Sequence, residues 1–173
     1  MSATRRSMTP ARDSSPVDGQ LLRTVAGTFA TGITVITCPT AAGPVGCAAN
    51  AVLSVSLDPP LMLISLAGGS RTRPAIEQAG CFGIHVLGAD ADGTALCTSF
   101  AGRGDHKFAG VRHHDGLLGV PILDSALGWF ECEVASTQVA GDHTLILGRV
   151  VGAGHGDGEP LVFFRGRQRL LAV

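Results

Sequence analysis

Short apolar runs of strand length, punctuated by glycine, proline and small polar residues, recur along this chain with few helical intervals. Residues 33–38, 45–56, 61–66, 81–86, 127–137, 144–154 and 161–164 all read as strands, with a last one near 169–171. Gly43-Pro44 marks a turn, and Pro59-Pro60 interrupts the second strand region. Helical spacing is confined to three places. Leu21, Leu22, Val25 and Phe29 give a first amphipathic helix that stops near 27–32. Residues 73–79 carry Pro74 in a first turn, and residues 90–100 place Leu96 and Phe100 on one side. Strands that follow one another this directly exclude alternating βαβ units. They predict a mainly β fold, a closed antiparallel barrel with peripheral helices.

A chain of 173 residues is one domain on ordinary size grounds. Residues 1–18, rich in Ser, Arg and Pro, read as a flexible tail, and 19–173 as the folded domain; no internal repeat is present. With 45% hydrophobic and 16% charged residues, the chain supports a large core and little charged surface, which suits burial in an oligomer. A net charge of −1 provides no electrostatic footprint for nucleic acid or an anionic membrane. Arg165, Arg167 and Arg169 alternate on the last strand, as a solvated face or an anion site. Five cysteines without C-x-x-C spacing read as reduced thiols of a cytoplasmic protein. Arg5 and Arg6 lack a following apolar stretch, so no signal peptide is expected, and no apolar run reaches membrane-span length.

Two polar islands stand out from this strand-rich background. Gly46-Cys47-Ala48-Ala49-Asn50 leads to Ser54-Val55-Ser56-Leu57-Asp58-Pro59-Pro60, and Gly141-Asp142-His143-Thr144 opens a later strand. Large side chains belong in a segment that merely fills core. Here small residues leave room for a flat heterocycle to approach backbone N–H groups and hydroxyls. His143, at the mouth of a strand, is a candidate proton or cofactor contact because imidazole titrates near working pH. Other histidines carry less. His85 lies mid-strand among apolar residues and reads as a core histidine. His113-His114-Asp115 reads as a surface loop, since neighbours on an extended chain point to opposite faces. His106, before Lys107, is either a phosphate contact or solvent-exposed. Gly154-His155-Gly156-Asp157-Gly158 precedes a strand rather than a helix, and so reads as a hairpin turn and not a phosphate loop.

Taken in order, several segments resemble the flavin reductase-like family, the reductase components of two-component flavin monooxygenases. They are F-A-T-G-I-T-V-I-T at 29–37, Gly46 with Ala49-Asn50, S-V-S-L-D-P-P-L at 54–61, F-G-I-H-V-L at 82–87 and Ser99-Phe100-Ala101. Lys107-Phe108, L-G-W-F-E-C at 127–132, Gly141-Asp142-His143, Gly148 to Val151, and P-L-V-F-F-R-G at 160–166 complete the match over roughly 21–171. The resemblance implies an FMN-binding split β-barrel, a homodimer with cofactor sites near the subunit interface. It implies reduction of FAD or FMN by NADH or NADPH, with reduced flavin passed to a separate oxygenase or halogenase. By the same resemblance Cys47, Ala48, Ala49, Asn50, Ser54, Val55 and Ser56 line the flavin, with Thr31 and Thr34 nearby. Ser99, Phe100 and Lys107 are placed near its phosphate, and His143 faces the nicotinamide or the flavin edge. No metal is implied.

The chain departs from the family where G-M-T-A-N-S-F is common and G-C-A-A-N-A-V stands at 46–52. Hydroxyls at positions 48 and 51 and the aromatic at 52 are absent, and the chain has no Tyr. Each missing neutral hydrogen bond is worth about 0.5–1.5 kcal/mol, in keeping with flavin held as a substrate or with a different flavin preference. A rival reading is a non-catalytic flavin or haem carrier on the same barrel. Another is an interaction module that docks on an oxygenase.

Overall fold

The computed structural model describes residues 16–171. The tail read at 1–18 lies almost wholly outside the described residues. Helix α1 (Gly19–Ala26) is capped by the Asp18 carboxylate. Strands β1 (Thr31–Gly32), β2 (Thr34–Cys38), β3 (Val45–Ala49), β4 (Val52–Leu57) and β5 (Pro60–Ala67) follow, then α2 (Thr72–Ala79), β6 (Cys81–Val86) and α3 (Ala91–Ala101). The rest is strand: β7 (His113–Asp115), β8 (Pro121–Leu123), β9 (Gly128–Ala140), β10 (His143–His155), β11 (Val162–Phe164) and β12 (Arg167–Arg169).

Seven strands form one antiparallel sheet in the order β3-β2-β6-β9-β10-β5-β4. Its two edge strands, β3 and β4, are consecutive in sequence, with only Asn50 and Ala51 between them. Edges joined by two residues must lie close at that end, so the sheet curls on itself. No ladder closes the gap between them, and the barrel is split there. The expectation of a closed barrel is corrected at this one seam.

The curl gives β2 two buried faces, which explains its unbroken β-branched run. Ile36 and Cys38 join the interior cluster with Ile64, Phe82, Ile84, Cys132 and Ile146. Val35, pointing the other way, joins Ile33, Leu87, Leu96, Phe100 and Leu161 beneath α3. A second sheet, β1-β11-β12, leaves the barrel where three backbone bonds form a cycle. The Ile33 N–H donates to the Leu161 carbonyl (3.0 Å), Leu161 to Leu87 (2.8 Å) and Leu87 to Ile33 (3.0 Å). All three side chains are buried, so the junction is fully satisfied without water.

Several local readings change. The 113–115 segment pairs with β8 as a short hairpin rather than a loop, and the 45–56 region divides into two strands. Arg165 is not on the last strand. It occupies the turn before it, at φ 51°, with its guanidinium 5.1 Å from the Phe164 ring centroid. Helix α1 is amphipathic in sequence but buries none of its residues.

Candidate functional site

The seam between β3 and β4 is the natural place for a ligand edge. The Ala51 carbonyl accepts from the Ser65 N–H (2.9 Å), while the Asn50 and Ala51 N–H groups make no backbone bond among the described residues. Asn50 and Ala51 are exposed, and Ala48 and Ala49 are only partly buried. Unpaired backbone donors flanked by small side chains are what the polar rim of a flat heterocycle requires. The Asn50 amide donates to Thr31 Oγ1 (3.3 Å), which ties the link to β1. Thr34, buried, is committed elsewhere: its hydroxyl donates to the Ala49 carbonyl (2.7 Å) and so steadies β3 from behind.

Farther along β3, a pocket of about 680 Å³ is lined by Gly46 and Cys47, by Gly69 to Thr72 and by Gly102 to Asp105 with Lys107. Gly46 makes this wall possible. A Cβ there would meet the Phe100 ring at 2.8 Å and the Ile36 carbonyl at 2.7 Å, so only glycine lets α3 pack this closely. Phe100 is therefore a core residue; what it brings to the pocket is its carbonyl. The Lys107 ammonium donates to that carbonyl (2.9 Å) and to the Gly46 carbonyl (3.3 Å), leaving one of three N–H groups for a ligand. Burial pulls the Lys107 pKa below the usual lysine value; the Cys47 thiol opposes that shift and Arg71 adds to it. Phe108, edge-on to Phe100 at 5.0 Å, anchors the loop that carries Lys107.

Other sequence-derived candidates fall outside this pocket. Ser99 is exposed and lines a groove with Ala89, Asp90 and Leu170. A cleft of about 450 Å³ near the start of α3 is lined by Asp90, Asp92, Asp157 and Glu159, carboxylates that repel a phosphate. Ser54, Val55 and Ser56 sit on the edge strand β4. Ser54 pairs with Met62, five residues along β5 from Ala67, which pairs with His143. That is roughly 17 Å at the usual strand rise of about 3.4 Å.

His143 is half-exposed and opens β10, its Nδ1 2.7 Å from Asp142 Oδ1. With Nδ1 facing the carboxylate, Nε2 is left for a ligand. The Asp142 carboxyl is held below its ordinary pKa by this hydrogen bond and by the charge His143 carries when protonated. The Asp142 carbonyl accepts from the Gly68 N–H (2.8 Å), so His143 lies beside the Gly68–Arg71 turn that rims the pocket. His85 is fully buried, its Nδ1 3.2 Å from the Val35 carbonyl and its Nε2 without a partner among the described residues.

Residues that sequence reasoning passed over are Arg71, Arg103 and Asp105. The signal was a Gly68-Gly69-Ser70-Arg71 turn between an apolar strand and a helix, with a second Gly-rich turn at 102–105.

A split barrel with unpaired donors at its seam and cations a few residues away defines a binder of flat, anionic heterocyclic cofactors. The chain belongs to the flavin reductase-like domain family, whose model matches residues 26–172. It is 44% identical over 144 residues to the FMN reductase (NADH) SmoA of Agrobacterium fabrum, covering 83% of this chain and 81% of that one. The reductase subunit HsaB of a flavin-dependent monooxygenase from Rhodococcus jostii is 38% identical, covering 87% and 77%. An NADH:FAD oxidoreductase of Streptomyces globisporus, solved in complex with NAD and FAD fragments, superposes with a TM-score of 0.83. Its identity is 32% over 92% of this chain and 98% of that one.

Proposed function

We propose that this protein is an NAD(P)H:flavin oxidoreductase whose reduced product, FADH2 or FMNH2, leaves for a separate monooxygenase or halogenase. The observation that carries the reading is the unclosed seam, where the Asn50 and Ala51 N–H groups stand free beside Ala48 and Ala49. Those groups would hold the polar edge of the ring, with Thr31 steadying Asn50 through its hydrogen bond. Lys107, with Cys47 beside it, would hold the phosphate by charge. Ser54, Val55 and Ser56 would border the ring from β4, and Ser99 would meet the distal part of a larger flavin. When bound, the flavin supplies the hydride-accepting chemistry; the chain's share is position and electrostatics. Asp142 orients the His143 imidazole, whose Nε2 is free to bind the nicotinamide carboxamide.

A homodimer fits the reading, because α1 and β4 leave apolar side chains uncovered. Five free cysteines suit a cytoplasmic setting, and no helix among the described residues is long and apolar enough to cross a membrane. The unit that carries this function is taken as 19–173.

The test is a steady-state assay crossing FMN and FAD with NADH and NADPH. Oxidation of nicotinamide that depends on added flavin supports the reductase. A yellow protein that turns over no nicotinamide with either flavin would instead establish the carrier.

A further inference from the structure

The pocket beside Lys107 concentrates positive charge. Arg71, Arg103 and Lys107 line it, with Asp105 as the one carboxylate among its described lining residues. Arg71 reaches from the turn before α2 across to the turn after α3. Its guanidinium bonds the Asp105 carboxylate and the Arg103 carbonyl, with a longer contact to the Gly104 carbonyl (3.3 Å). This bridge joins two of the segments that line the pocket.

Both partners are largely in water, the Arg71 side chain 63% exposed and Asp105 76%. Ion pairs so placed are weak and easily replaced. Arg71 also sits close enough to Lys107 to work against its charge. A phosphate between the two relieves that repulsion and offers the guanidinium two acceptors in the fork geometry it prefers. The Asp105 carboxylate carries a smaller charge than a phosphate monoester and meets only one guanidinium nitrogen, the other being taken by backbone carbonyls.

We propose that Arg71 and Asp105 form an anion-exchange latch, in which the phosphate of a flavin nucleotide displaces the Asp105 carboxylate from Arg71. Asp105 holds the guanidinium at the pocket wall, and the phosphate takes its place on binding. The latch thereby selects phosphorylated flavins over riboflavin. It rests on the flavin reading above, and it assigns two residues to the recognition of the tail rather than the ring.

Fluorescence titration of the full chain with FMN and with riboflavin tests it. Arg71→Ala raises the Kd for FMN about tenfold, in line with loss of a charge-assisted bond, and moves the riboflavin Kd little. Asp105→Asn, by freeing Arg71, lowers the FMN Kd about threefold and again moves riboflavin little. Unchanged or weaker FMN binding by Asp105→Asn overturns the latch. So does an Arg71→Ala effect of equal size on both flavins, which marks a merely structural role. If wild-type protein binds neither flavin, the functional reading falls and the latch with it. If wild-type binds both and the variants shift nothing, the latch alone falls.

Discussion

His143 and His85 show how one residue type takes opposite tasks from its surroundings. His143 is half in water with a carboxylate on Nδ1, an arrangement that fixes the ring and leaves Nε2 without a partner among the described residues. Hydride transfer itself needs contact geometry and little proton movement. His143→Ala should therefore lower kcat/KM about tenfold, mainly through KM for the nicotinamide, with flavin affinity kept. Steady-state kinetics at saturating flavin read this directly; a wild-type rate would remove His143 from the site, and a loss beyond about a thousandfold would make it a proton-transfer catalyst. His85 is a different case. Burial drives its pKa down to about 4, against the raising effect of its bond to the Val35 carbonyl, and His114 lowers it further. The unfolded chain, with the ordinary value near 6.5, then binds the proton first as pH falls. Stability is thus lost between about pH 6.5 and 4 and changes no further below that, a total of about 3 kcal/mol from this group. His85→Gln should flatten the fall of Tm across that window relative to wild type. Parallel pH–Tm curves for the two proteins would exclude His85 as the source.

At the scale of elements, the β7–β8 hairpin depends on one buried carboxylate. Glu131 on β9 has no exposure, and its two oxygens accept the N–H groups of Leu117 (2.8 Å) and Leu118 (2.6 Å). Gly116 completes the fit, since a Cβ there would stand 2.6 Å from Glu131 Oε1. Glutamine keeps the shape but turns an N–H2 toward a backbone donor. Glu131→Gln should lower unfolding stability by about 2 kcal/mol and speed amide exchange at Leu117 and Leu118. An unchanged denaturant midpoint would show the turn to be held by its other contacts. Sequence pattern located the long strands and all three helices within a few residues, because apolar runs and Pro or Gly stops have local causes. It did not reveal this hairpin. His113-His114-Asp115 has no strand-like composition, and its pairing is imposed by Pro121–Leu123 and the carboxylate beneath the connecting turn. Phe100 was legible as a helix-face residue, but its role in closing on Gly46 depends on a contact between distant segments.

For the whole molecule, the small residues at 46–51 suggested room for something flat to approach, yet the seam beside them arises only when seven strands curl and the edges β3 and β4 stay unpaired. The small-residue candidates and Lys107 could therefore be picked out from sequence, while Arg71 and Arg103 could not, since the pocket wall they share with Lys107 is assembled from turns far apart in sequence. The same curl leaves β4 as an unpaired edge with Leu53 and Leu57 57% and 90% exposed. A bare apolar edge invites association. Helix α1 adds Leu21, Leu22 and Val25, and Phe29 follows it, all largely uncovered. A homodimer that covers β4 would bury this surface and place a second copy beside Ser54 and Ser56. Leu57→Asp puts a charge where that interface must be dry, so light scattering at micromolar concentration should report a dimer for wild type and a monomer for the variant. The monomer should also melt at a concentration-independent Tm, whereas the wild-type Tm should rise with concentration. A wild-type protein that scatters as a monomer, or a Leu57→Asp protein that stays dimeric, would place the covering contact elsewhere or nowhere.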